Sequence, residues 1–185
     1  AARALSRQME FDADRVSVSV TGSDALINAL YSLQTADDAW HSAMSLASAH
    51  AREGRGLTDF FAAQSATIEA MRRVLDEPDY GTPPQPPEGV AASEHRVFQE
   101  QAARPPEMWS THPANRDRED HAKTDYVATE TDARSAWEVF GNPQALREAV
   151  SRALYPDDAQ GQLEMIDPRA AVESRFDRPT LDRAY

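Results

Sequence analysis

The sequence predicts a mainly α-helical protein whose helices are joined by irregular, proline-rich connectors. Two observations carry this. Apolar residues recur at intervals of three and four through most of the chain up to Leu75, and the prolines cluster between such stretches rather than inside them. Cap and stop residues stand at the boundaries, and no internal repeat is visible.

The first helix runs through "AARALSRQMEFDADRVSVSV". At about 100° per residue, Leu5, Met9, Ala13, Val16 and Val20 share one broad face, and Phe11 and Val18 lie roughly opposite. Glu10 and Asp14, one turn apart, form a strip between these two apolar surfaces, and Asp12 points away from both. The pattern predicts a helix packed on two sides. Buried carboxylates need cations, hydrogen-bond donors or a metal, because an unpaired buried charge costs several kcal/mol. Pairing with Arg3, Arg7 or Arg15 is the ordinary solution. A Glu metal ligand supported by Asp14 is the functional one, since a carboxylate one turn along can accept the ring N–H of a metal-bound histidine.

"TGSD" then stops the helix at Gly22, with Ser23 or Asp24 as the next cap. Leu26, Ile27, Leu30, Tyr31 and Leu33 begin a stripe that continues through Trp40, Met44 and Leu46 to about Ala51, as two helices or one bent helix. "REGRG" breaks it. A third helical block follows, with Thr58 as cap and Leu57, Phe60, Phe61, Ile68, Met71 and Leu75 apolar. Five prolines between Pro78 and Pro87 make 78–92 an extended connector. A short helical stretch from Ser93 to Ala103 leads into "RPPEMWSTHPANRDREDHAK", irregular until Pro113 opens another helix. "DYVAT" and "SAWEVF" read as short extended segments or helix. "NPQALREAVSRALYP" is a helix capped by Asn142, with Pro143 at its start and Pro156 beyond its end. The reading divides the chain into residues 1–155 and a polar region, 156–185, read as a weakly structured tail or the start of something further.

Composition excludes several classes. A net charge of -12 and a pI near 4.8 argue against a general nucleic-acid binder or an anionic-membrane binder. With no cysteine there is no disulfide framework and no thiolate site, so a transition metal must be held by His, Asp or Glu. No run approaches the roughly 18 apolar residues that span a bilayer, and there is no signal-peptide pattern, so a soluble chain is expected. The start, without methionine and within a helical pattern, leads us to expect a piece of a longer protein.

"MEFDAD" resembles the glutamate-bearing E-x-x-x-D motif of the M48 zinc metallopeptidases, the HtpX-like group. "STHPANRDR" looks like their downstream S-T-H-P segment, in which an Arg follows the His by six positions and here is Arg118. The two occur in the family's order, and the resemblance covers roughly Ser6 to Tyr155. It implies the C-terminal portion of a zincin-like metallopeptidase domain, a Zn2+ cofactor and a peptide or protein substrate. Glu10 matches the third zinc ligand and Asp14 the acid one turn later. By its place in the family, His112 is expected near the open zinc position, as an oxyanion donor or a regulatory cover, with Arg118 orienting an acid or a substrate carbonyl. The other two ligands and the catalytic Glu belong to an H-E-x-x-H helix. This sequence contains no H-E-x-x-H, so that segment is expected upstream, together with any membrane anchor. His41, His50, His95 and His121 lack its spacing and read as surface or ordinary core residues. "STHPANRDRE" also has a plain reading, a proline-shaped turn with a cap and a surface charge cluster. Three function classes follow: a zinc endopeptidase fragment, an inactive peptide-binding or chaperone-like module of the same fold, and a helical interaction domain that shares the motifs by chance.

Overall fold

A computed structural model describes residues 2–98, 112–130, 132 and 134–177, with side chains from residue 5 onward. Ser110 and Thr111 of the S-T-H-P segment, residues 99–103 of the expected Ser93–Ala103 helix, and the side chain of Arg3 lie outside them. The protein is mainly helical: α1 (Ala2–Thr21), α2 (Ser23–Ala51), α3 (Phe60–Leu75), α4 (Asn115–Thr124), α5 (Pro143–Ala153) and α6 (Pro168–Phe176). Two three-residue strands, β1 (Arg55–Leu57) and β2 (Glu164–Ile166), pair in parallel with Leu57 opposite Ile166. No described helix is long and apolar enough to cross a membrane.

The chain divides into two compact units, Ala1–Leu33 with Thr82–Ala133, and Gln34–Gly81 with Arg134–Tyr185. α2 is one helix, contributing its first turns to one unit and the remainder to the other.

The second unit has a conventional apolar core. Ala43, Leu46, Ala47, Leu57, Phe60 and Val172 are buried together, with Trp40 and Phe60 tilted against each other at 6.1 Å. Leu57, expected on the third helix, lies in β1 instead. Asp59 rather than Thr58 caps α3, its Oδ1 accepting from the N–H groups of Phe61 and Ala62 at 2.9 and 3.0 Å. Thr58 instead extends the pairing of β1, its N–H donating to the carbonyl of Ile166 at the end of β2. Asn142 and Pro143 open α5 as expected. From this helix Ser151 and, just beyond it, Tyr155 receive the N–H groups of Phe60 and Leu57 through their hydroxyls. Residues 164–176, read from sequence as polar tail, form β2 and α6. Asp167 caps α6 ahead of Pro168, and Ala171 and Val172 bury its inner face. "SAWEVF" contains a single 3-10 turn over Ala136–Val139, closed by a capping box between Ser135 and Glu138.

The first unit is built around α1, the start of α2 and α4, with Val18, Ile27, Val97 and Ala122 buried. Its connector through residues 82–98 consists of turns and irregular backbone, and no helix forms over residues 93–98. Gly22 ends α1 at φ +90°, and its N–H donates to Val18. Ser23, a cap candidate, is fully buried and links distant chain: its hydroxyl donates to the Ala122 carbonyl at 2.7 Å and accepts the Val127 N–H at 3.0 Å.

α1 overturns one expectation. Leu5, Met9, Val16 and Val20, read as core, are 63–76% exposed. The buried face carries Asp14 and Val18, with Phe11 beside them stacked on His121 of α4 at 3.9 Å and 12°. α4 presents an arginine to the acid strip and His121 to Phe11, so the side carrying Asp14 and Val18 turns inward and the Leu5, Met9, Val16 and Val20 stripe turns outward.

Two outcomes are expected. A Cβ on Gly22 would stand 2.1 Å from the Thr129 hydroxyl and force a left-handed conformation on an L-residue. Gly22→Ala should therefore lower unfolding stability by at least ~1–3 kcal/mol in urea titrations, and more than Gly54→Ala, which also has positive φ but meets nothing within 4 Å. The Tyr126 hydroxyl donates to Asp24 at 2.5 Å. That hydrogen bond first, then burial and the carboxylate's charge, push the phenol up to about 12. A raised acid contributes stability that is fully present below its unfolded value near 10 and is lost as pH rises toward 12. Stability should fall across that window in the wild type and less steeply in Tyr126→Phe.

Candidate active site

The packing of α4 against α1 brings the four predicted residues together. Arg118 meets Asp14 through two parallel bonds, Nε to Oδ2 at 2.8 Å and Nη2 to Oδ1 at 2.6 Å. This fork-to-fork geometry fixes direction as well as distance. Asp14 is only 3% exposed, so the guanidinium replaces the water that its carboxylate lost. A third Arg118 nitrogen stands 3.9 Å from Glu10 Oε2. The Asp14 hydrogen bond raises the Arg118 pKa; burial opposes it, and the charges of Asp14 and Glu10 add to the rise. Arg118 is a fixed cation here.

Glu10, one turn from Asp14, turns its other oxygen outward. Its Oε1 lies 2.6 Å from Nδ1 of His112, whose side chain is 74% exposed against 23% for Glu10. His112 and Pro113 lead directly into α4, so the element that supplies Arg118 also delivers the imidazole. The ordinary expectation that Arg7 or Arg15 would neutralise the strip is replaced by this distant partner, and the Arg3 side chain lies outside the described residues. Arg15 pairs with Asp12. Both Asp14 oxygens accept from Arg118, and the histidine contact present in this chain goes to Glu10.

Sequence reading missed the opposite face of α4, taken as a surface charge cluster. Glu119 is fully buried, and its two oxygens accept the N–H groups of Val97 and Phe98 at 2.7 and 2.9 Å. Arg116 donates to the Phe98 carbonyl at 2.8 Å and to Asp120 at 3.1 Å, and Arg96 reaches Asp120 at 2.9 Å. Burial pushes the Asp120 pKa up, but the Arg116 and Arg96 hydrogen bonds leave it below the usual carboxylate value. The spacing of Arg116 and Asp120, one helical turn, was the available signal; nothing in the sequence announced that residues 92–98 would lie against it. Of the other histidines, His121 stacks on Phe11, while His41 and His95 contact backbone carbonyls.

The model of peptidase family M48 matches residues 1–125, which include Glu10, Asp14, His112 and Arg118. The chain belongs to peptidase family M48. The family match ends short of Tyr155, so α5 and α6 lie outside it. Searches of curated proteins and of solved structures returned no match. Membership of M48 points to metallopeptidase function. Among the described residues, however, no three His, Cys, Asp or Glu side chains converge to hold a metal ion. A catalytic zinc takes three protein ligands, and among the described residues Glu10 and His112 stand within hydrogen-bond distance of each other at this site.

The ion pair sets a measurable coupling. Arg118→Met leaves Asp14 buried and uncompensated and should cost about 3–5 kcal/mol of stability. The double variant with Asp14→Asn should recover much of that loss, giving a strong coupling in a denaturant double-mutant cycle.

Proposed function

We propose that this chain is the glutamate-bearing part of a zinc metalloendopeptidase that hydrolyses peptide bonds in a peptide or protein substrate. The observation that carries the reading is the joining of the two M48 motifs in space: Glu10 and Asp14 from one, His112 and Arg118 from the other. Glu10 would be the ligand this chain gives the metal, and the two histidines and general base would come from an H-E-x-x-H segment outside these 185 residues. Zinc, when bound, supplies Lewis acidity and a water of lowered pKa.

The chain's own residues hold and orient. Arg118 neutralises Asp14 and stands 3.9 Å from Glu10, setting a positive charge beside that carboxylate. His112, largely exposed beside Glu10, would meet the substrate carbonyl. As a donor to the developing oxyanion it would act only as charge appears there. Its exposure supports contact with something that arrives from solvent.

In a longer protein that includes the H-E-x-x-H segment, Glu10→Gln should abolish near-stoichiometric zinc by metal analysis while circular dichroism stays unchanged. Zinc retained in the folded variant would remove Glu10 from the metal and favour a peptide-binding module. His112→Ala should leave zinc in place and lower kcat by roughly 10²-fold or more, the scale for losing one oxyanion donor. Faster turnover would assign His112 to covering the metal.

A further inference from the structure

We propose that the second unit holds a binding site for a small organic cation: a pocket of about 140 Å³ between α2, α3 and α6 that takes an ammonium group carried on a compact apolar body. The inference is independent of the peptidase reading. Phe176, one of the pocket's walls, lies outside the residues matched by the M48 model.

The interior of the pocket is apolar. Ala39 of α2, Ile68 and Met71 of α3, and Phe176 at the end of α6 line it. Thr67 belongs to the same wall, but its hydroxyl donates to the Ala63 carbonyl at 2.8 Å and is satisfied within its own helix. An apolar cavity of about 150 Å³ takes one benzene-sized group. That sets the size of the ligand's body, and a space that one ring fills suits a free amine better than an extended chain.

The turn after α3 supplies the remaining wall, Tyr80. Its N–H donates to the Glu77 carbonyl at 3.0 Å, and its own carbonyl accepts from Arg72 Nε at 3.0 Å. Gly81, at φ +78°, lies so close to α2 that a Cβ there would stand 2.8 Å from the Thr35 methyl group. The backbone of Tyr80 is therefore pinned to α3 before it and to α2 after it, and the wall is formed without a ligand.

Charge at the edge selects the ligand. Asp38 is an exposed carboxylate lining the pocket, and it enters no ion pair or hydrogen bond among the described residues. Two arginines beside the pocket donate to main chain instead, Arg175 to the Ser42 carbonyl at 3.4 Å and Arg72 to that of Tyr80. Tyr80 and Phe176 add aromatic rings, whose faces attract a cation within about 6 Å of the centroid. An unpaired negative charge beside aromatic walls favours an ammonium over a neutral group of the same shape and disfavours a carboxylate.

The test is titration of the 185-residue chain at neutral pH and low salt with benzylamine, which is protonated there, and with its neutral analogue benzyl alcohol, following the methyl resonances of Ile68 and Met71. Saturable shifts are expected, with benzylamine bound about threefold or more tighter, the scale of an exposed charge pair joined to a cation–π contact. Asp38→Asn should remove most of that preference and leave benzyl alcohol unaffected, and Tyr80→Leu should weaken benzylamine more than benzyl alcohol. Thermal melts check folding; should Tyr80→Leu fail to fold, the exposed Asp38 decides. Equal affinity for the two ligands, no shift at either methyl, or a preference that survives Asp38→Asn overturns the proposal. Tighter binding of Nα-acetyl-lysine N-methylamide than of benzylamine would give the pocket to a polypeptide side chain and overturn the assignment to a free amine.

Discussion

A buried carboxylate cannot stay buried alone, and Asp14 is the residue on which the first unit turns. Once its charge leaves water, only a cation with two well-placed donors returns what was lost, and Arg118 brings both from α4. The pair need not stabilise the fold more than an apolar contact of equal size would, because desolvation cancels much of the attraction. What it supplies is orientation. It sets the rotation of α1 and the height of α4, and through them places His112 against Glu10.

The two units are specified by different physics. Around β1, α3, α5 and α6 the core is apolar, and hydroxyl groups such as those of Ser151 and Tyr155 meet the few main-chain donors left at its edge. Around α1 and α4 the apolar core is small, and charged groups carry the specification: Asp14, Arg118, Glu119, Lys123 and the Arg96–Asp120–Arg116 chain. Such networks are intolerant of partial satisfaction, since each unmet group costs its full desolvation. That intolerance suits a region that must hold two side chains from distant sequence at hydrogen-bond distance. It also explains why a helix as polar as α4 is ordered at all, since its propensity and apolar content would not hold it.

Much of the helical order was legible because it depends on neighbours in sequence. Gly22 at the end of α1, Asn142 and Pro143 at the start of α5, and the proline-rich connector follow from local backbone chemistry. Errors occurred where a distant partner outbid a local preference. Thr58 would cap α3 but is drawn into the strand pairing with Ile166, and Asp59, one residue on, caps instead; Leu57 would extend the helix but pairs in β1; residues 164–176 look too polar to fold but have α3 and β1 to fold against. On α1 the Phe11/Val18 side packs as its apolar residues suggest while the Leu5, Met9, Val16 and Val20 side stays exposed, because hydrophobicity alone does not reveal that α4 arrives with an arginine for the acid strip.

The same division holds for the site. By itself the sequence determined the residue types and their spacing: a carboxylate pair one turn apart, a histidine fixed before a proline, an arginine six positions later, and with them membership of a metallopeptidase family. Those properties are local or are carried in motif order, so no coordinates were needed. Only the tertiary structure decided which charge answers which. Asp14 found Arg118 rather than Arg15, His112 found Glu10, and Glu119 turned from a surface charge into a buried clasp on Val97 and Phe98. Ion pairs and hydrogen bonds act over a few ångströms and are indifferent to separation along the chain, so their partners become readable only when the fold has set the distances.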